Sequence, residues 1–476
     1  VQAWYNLWIL PDPTRQDPLG VPTRLGFGLE EVWQSRTTLG VGQNGIAQAG
    51  NNDYHVIGTY YAGDSCQALS FGAPACPTTY PATTETTTHP DQHDGIYLPT
   101  ADGGVCLFAG NDGGVYRQCV GPGEEIDNAG WGDGHNQGFH TLMPYGLAAA
   151  KDGRVWFGLQ DNGSGYIDGE TQQHFQNLGG DGFFASVDPD NSDYAWLTIQ
   201  NGALRVTTDG GLSYTSANPP ISSPSFANYF VMDPTDPQHV MTAGPEVVSV
   251  NNGAGLSWQE VFHLGSNAET GKTNIMTNIH LYDGQAYVAF CGPCDLINNW
   301  DTGIRNGLAT NVGGSAPPRK GSGDGWHFAS ANGLPNRYIS AVEMDEENPT
   351  TIYVTLAGYA NRTWVPPGSY LDPNQNLGKG SVFVSTDAGE NFRDITGNLP
   401  SVHARWILKR GSQLIVATDL GAFISSDLDG SSWAPLGNGL PHSPMTQIQF
   451  MPDDPNTLFA STFGRGIWRY DFPVEE

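Results

Sequence analysis

One phrase recurs along this chain: an alternating apolar strand, an Asp-Pro turn, a second strand, a Gly break, a third strand, and a Ser/Thr-x-Asp-Gly turn ending on an aromatic residue. It is clearest as FFASVDPDNSDYAWLTIQNGALRVTTDGGLSY (183–214) and YFVMDPTDPQHVMTAGPEVVSVNNGAGLSW (229–258). A third copy, RYISAVEMDEENPTTIYVTLAG (337–358), resumes at GSVFVSTDAGENF (380–392) after an insertion, and copies at 406–433 and 446–473 close the series. Weaker copies begin near Tyr5, His93, Met143 and Thr277, which makes about nine units of roughly fifty residues, a period typical of propeller repeats. One such unit is a small sheet with two faces to bury. Stacking units around an axis buries both faces and leaves only short edges, which is the logic of a β-propeller. The prediction is an all-β propeller of four-stranded blades with about eight or nine repeat units. It spans 1–476 as one closed domain, with loop insertions at 62–92, 292–330 and 359–379.

Composition agrees. Gly is 62 of 476 residues and charged residues are 14 %, against the ~25 % charged content of average domains. Gly or Pro interrupts nearly every window in which a helical period would have to show. The net charge of −29 argues against a nucleic-acid partner or an anionic membrane surface. No apolar run reaches the ~20 residues that span a bilayer. Cations are the expected companions, calcium held by carboxylates and carbonyls ahead of zinc.

The six cysteines form three close pairs, Cys66/Cys76, Cys106/Cys119 and Cys291/Cys294. In CLFAGNDGGVYRQC a hairpin turning at Asp112-Gly113 sets Cys106 opposite Cys119, since Asp-Gly favours two-residue turns and directly opposed residues lie within disulfide reach. That predicts a cross-strand disulfide and an oxidising compartment. Cys291-Gly-Pro-Cys294 has redox-motif spacing, but no helical period follows it to lower a thiol pKa, so a structural disulfide is expected there and for Cys66–Cys76. The chain opens at Val1 within an apparent strand, which reads as a secreted protein with a processed N-terminus.

The turn phrase stands at TTDGGLSY (207–214) and STDAGENF (385–392), and with one extra residue at SSDLDGSSW (425–433). Asp209, Asp387 and Asp427 are expected to accept backbone N–H bonds within these turns, while the Gly supplies positive φ and the aromatic packs under the sheet. The phrase resembles the Asp-box of the BNR-repeat propellers, which include sialidases, xyloglucanase-type glycoside hydrolases, sortilin-type receptors and photosystem assembly factors. Residues 89–188, with HPDQHDGIYLP, LFAGNDGGVYRQ, GLQDNGSGY and GGDGFFASVDPDN, resemble more narrowly a group of secreted bacterial BNR proteins described as sialidase-like or glycosyl hydrolase-like. The resemblance implies a propeller. It leaves activity open, because this fold hosts hydrolases, lyases, receptors and scaffolds.

Two sets of residues carry candidate chemistry. The loops hold Trp300, Trp326, Trp364 and Tyr370, rings on which a sugar's C–H face packs while its hydroxyls take polar partners; the competing role is to pin the loops to the propeller body. The second set is polar: His89, Asp91, His93, Asp112, Asp133, His135, His140, Asp161 and Asp181. An extended THPDQHDGIYLP sends His89, Asp91 and His93 to one side. At ~3.3 Å per residue, however, His89 and His93 stand ~13 Å apart, so any metal there needs ligands from other blades. His93 and His135 are also candidate ligand-binding residues. The phrases NDGG, QDNG and GDG recur on successive units, and Asp161 with Asp181 is the leading carboxylate pair for a glycosidase, whose two carboxyls lie ~5 to 9.5 Å apart. Turn chemistry is the alternative for each Asp.

A sialidase would need an Arg trio, a Tyr/Glu nucleophile pair and an F-R-I-P-like segment; no such segment is present, which argues against true sialidase activity. The expected function is a secreted propeller that binds an extracellular glycan or other polymer and hydrolyses glycosides if catalytic. A non-catalytic scaffold with a protein partner is the rival, and a polysaccharide lyase drawing on His93, His135 and Arg154 a further alternative.

Overall fold

The computed structural model describes residues 6–35, 54–60, 87–131, 136, 138–266, 271, 273–292, 305–314, 323–357, 380–440 and 442–473. They form nine antiparallel sheets, each a meander, seven of them four-stranded and two three-stranded. In chain order the sheets span 8–58, 92–120, 144–178, 182–216, 230–263, 275–329, 339–394, 404–435 and 445–471. They are numbered one to nine, with strands a to d from first to last. Second strands such as Val155–Leu159 and Ile352–Leu356 are buried along their whole length, because a strand inside a blade has a neighbouring sheet on each face. The stretch 292–330, expected as an insertion, contains strands Arg305–Thr310 and His327–Ala329.

The chain divides into two compact units, 1–139 and 140–476. The first holds sheets one and two around Trp8, Val32, Ile57, Tyr97, Leu107 and Trp131. In sheet two Cys106 pairs directly with Cys119 and the two form a disulfide. Cys291 is also disulfide-bonded; Cys66, Cys76 and Cys294 lie outside the described residues.

The second unit holds sheets three to nine. Each first strand packs on the next, and the first strand of sheet nine returns to that of sheet three. The seam is sewn by side chains. Thr446 Oγ1 donates to the Pro144 carbonyl at 2.8 Å, Gln447 Oε1 accepts the Leu147 N–H at 2.9 Å, and Gln449 Oε1 accepts the Ala149 N–H at 3.1 Å. Phe459 packs with Leu147, Ala149 and Val155 beneath them. A ring of seven blades therefore closes within 140–476. Aromatic rings narrow its axis: Tyr229 meets Phe184 at 4.9 Å and Trp406 at 5.5 Å.

The two ends of this ring differ. The a–b and c–d turns share one end, and polar bonds belt it. Asp233 accepts the N–H groups of Asp283 and Gly284, Lys151 bridges Asp190 and Asp453, and Lys409 reaches Asp345. The S/T-x-D turns lie here too. Asp209 takes the N–H and hydroxyl of Ser213 and the Thr207 hydroxyl, Asp387 takes the N–H and amide of Asn391 and the Ser385 hydroxyl, and Asp427 takes the N–H groups of Asp429 and Ser431. These bonds stabilise the charged form, so Asp209 is held down to about 2. The b–c and d–a connections share the other end.

Candidate functional site

At the b–c end the first strand of most blades begins with a β-bulge, where one residue is released from the ladder and re-aimed. In sheets six, seven and nine the bulged residue is Thr277, Ser340 or Thr446. Each hydroxyl donates to the first carbonyls of the next blade, at Ile339, Ala404 and Pro144 respectively. That is a structural use of a small hydroxyl. Sheets three, four and eight depart from it: sheet three bulges at Tyr145, sheet four across Phe183 and Phe184, and sheet eight at Arg405.

Around Tyr145 the departures assemble a surface. Its hydroxyl donates to Gln160 Oε1 at 3.0 Å. Its ring lies 5.8 Å from Phe463 and 5.0 Å from Phe183, which lies 5.3 Å from Phe226. The ends of this aromatic arc are open, Phe463 being 37 % and Phe226 57 % exposed. Beside it the structure brings Asp161 and Asp181 together. Asp161, in the left-handed region at φ 58, follows Gln160 in the b–c turn of sheet three. Its N–H donates to Asp181 Oδ1 at 2.9 Å, and the Gln200 amide donates to Asp181 Oδ2 at 2.8 Å. Asp181 thus accepts a hydrogen bond on each oxygen, and it holds the Asp161 backbone in its turn. Burial, then Asp181 and Asp161, push the Tyr145 phenol up to about 12, so it stays a neutral hydrogen-bond donor at physiological pH.

Arg405 occupies the same bulge in sheet eight and turns to the b–c loop of its own blade, where its Nε lies 2.6 Å from Asp419 Oδ1. Buried His403 next to it is held neutral, first by burial and then by the Arg405 charge.

The first unit repeats this pattern once. His93 is the bulged residue of sheet two, and its Nε2 lies 2.5 Å from Asp112 Oδ1 in the b–c turn. His89, Asp91 and His93 do not share a side as an extended chain would place them, because Asp91 has φ 62. Its N–H donates to the Glu30 carbonyl, and its carboxyl accepts the Asn6 amide at 2.5 Å and lies against Asp112. His89 instead packs on Gly113 and toward Tyr60. Burial first, then Asp112 and Glu30, raise the Asp91 carboxyl to about 6. Among the described residues no group of three or more His, Cys, Asp or Glu side chains is placed to share a metal ion.

The other sequence candidates scatter. Trp326 stacks on Phe262 at 5.5 Å within the core of sheets five and six, in the c–d connection and hence at the end opposite Tyr145. Arg154 is paired with Asp193 at the belted end. Asp133, His135, Trp300, Trp364 and Tyr370 lie outside the described residues. Tyr145, Phe463, Phe226, Gln160, Gln200 and Arg405 were missed. Aligning the repeats on their first strands would have marked Tyr145 and Arg405, which stand where sister repeats carry Ser or Thr.

Comparison with known proteins places the fold. No family model and no curated protein matches this chain. Among solved structures, an ancestral GH74 enzyme aligns with a TM-score of 0.57 at 15 % identity, over 97 % of this chain and 65 % of its own. YCF48 bound to D1 peptide aligns at 0.46 and 14 % identity, over 70 % of this chain and 94 % of its own. YCF48 from Cyanidioschyzon merolae aligns at 0.47 and 13 % identity, over 70 % and 96 %. The chain spans about two thirds of the GH74 enzyme, and at this identity the likeness is one of fold: the chain has the β-propeller fold.

Proposed function

We propose that the b–c end of the seven-bladed ring binds an extracellular glycan, and that the protein is a secreted carbohydrate-binding propeller. One observation carries this: the arc Phe463–Tyr145–Phe183–Phe226, open at both ends, runs beside the acceptors and amides of Asp161, Asp181, Gln160 and Gln200. Flat apolar rings flanked by oriented polar groups match a sugar, whose C–H face is apolar and whose rim is hydroxyl. The Cys106–Cys119 disulfide supports an oxidising compartment.

Glycoside hydrolysis is a second reading, favoured by the contact between Asp161 and Asp181. A hydrolase needs one carboxyl that holds a proton beside one that does not. Asp181, fastened by two donors, is the candidate base or nucleophile and Asp161 the candidate acid. Glycan-panel binding and turnover by the native chain and by Asp161→Asn separate the readings. Binding without turnover supports the binding module, turnover abolished by Asp161→Asn supports the hydrolase, and absence of any glycan binding overturns both.

A further inference from the structure

The bulge that begins most first strands has a structural solution in this ring, a Ser or Thr whose hydroxyl bonds the next blade, as Thr277, Ser340 and Thr446 do. Arg405 forgoes that bond. A guanidinium offers five N–H donors in a planar fork. Arg405 uses its Nε on Asp419 at 2.6 Å, and its side chain keeps 29 % of its surface exposed. No hydrogen bond of its terminal amino groups to a described residue accompanies that one. Asp419, itself 23 % exposed, holds the fork in place and leaves the outer edge open.

Two guanidiniums, Arg405 and Arg337, and the Asp419 carboxylate act together on His403 in a chain of net charge −29. Arg337 is buried to 1 % exposure and donates to the carbonyls of Ala357 and Gly380. His403, between the two arginines in its electrostatic surroundings, is neutral and adds no third charge. Sheet nine, which contributes Phe463 to the aromatic arc, lies between sheet eight and sheet three, so Arg405 extends the same face by one blade.

We propose that Arg405 is an anion-recognising subsite of this face, taking a carboxylate or sulfate substituent of an acidic glycan on the open edge of its guanidinium. The inference rests on the glycan-binding reading and adds the ligand's charge class. Planar bidentate recognition of an oxyanion is what distinguishes Arg from Lys at such a position. An Asp419-oriented fork is ready for it without reorganisation.

The test compares oligogalacturonate with its methyl ester, which has the same backbone without the charge, by calorimetric titration of the full chain near 0.15 M salt. Dextran sulfate provides a second arm that tells sulfate from carboxylate recognition. The native chain is expected to bind one acid form at least tenfold more tightly than the ester. Arg405→Gln is expected to remove that preference while leaving ester binding unchanged, and Arg405→Lys to restore only part of it. Equal affinity for acid and ester, or a preference that survives Arg405→Gln, overturns the inference while the glycan-binding reading stands. Failure of every glycan, neutral or acidic, overturns the reading and the inference together. Should Arg405→Gln fail to fold, the acid-to-ester ratio of the native chain still decides.

Discussion

Gln447→Ala tests the seam that closes the seven-bladed ring. Gln447 is 6 % exposed, and its Oε1 accepts the N–H of Leu147, which is 0 % exposed. Truncation leaves that N–H buried without an acceptor, at a cost of ~1–3 kcal/mol. Thr446 and Gln449 still bridge the seam, so the variant folds with a weakened joint. At tenfold per ~1.4 kcal/mol, the folded-to-unfolded ratio falls about 5-fold to 150-fold. Urea unfolding followed by tryptophan emission reads this, since Trp156 in sheet three and Trp196 in sheet four are fully buried. The midpoint should fall with the slope unchanged, as expected when stability alone changes. Gln449→Ala, whose partner bond is only part-buried, should cost less. A Gln447→Ala loss within ~0.5 kcal/mol, the range of ordinary surface substitutions, would refute the claim that these bonds close the ring.

Two further outcomes follow from the first unit. The Asp91 carboxyl is raised in the folded chain from its ordinary 3.8 to about 6, so its contribution to stability is fully present below pH 3.8 and is lost as pH rises through about 6. The native unfolding midpoint should drop across that window more than that of Asp91→Asn; parallel pH profiles would contradict the assignment. Replacing both Cys106 and Cys119 by Ser frees a loop of sequence separation 13, worth ~3 kcal/mol by loop-closure entropy, and should lower the midpoint of the first unit. An unchanged midpoint would show that hairpin pairing alone holds sheet two.

The blade starts were legible because each unit announces itself locally. Copies read as beginning near Met143, Phe183, Tyr229, Thr277, Arg337, Trp406 and Thr446 correspond to first strands that begin at Pro144, Gly182, Phe230, Ile275, Ile339, Ala404 and Met445. Alternating apolar residues and Asp-Pro or Gly turns suffice for that. Ring closure left no such trace, since Gln447 and Gln449 meet backbone groups 300 positions earlier in the chain. Asp161 and Asp181 could be paired from QDNG and GDG because the two phrases fall on neighbouring units; the b–c turn of sheet three and the connection into sheet four then meet at one end of the ring. Of their aromatic neighbours, Tyr145 stands out only once the repeats are aligned on their first strands, and Phe463 lies in what looks like an ordinary turn. Trp326 packs on Phe262, in keeping with the pinning role that the sequence left open beside sugar stacking. At Asp91 the extended geometry expected beside Pro90 gave way to a left-handed turn that the Glu30 carbonyl and Asn6 amide hold in place.

A structure of the full chain with its tightest-binding oligosaccharide decides whether the b–c end of the ring is a glycan platform. A sugar ring is expected to pack on Tyr145, Phe463 or Phe226, with hydroxyls within hydrogen-bond distance of Asp161, Gln160 or Gln200. A sugar bound at the belted end beside Trp326, or only in the first unit near Asp91 and His93, would contradict it.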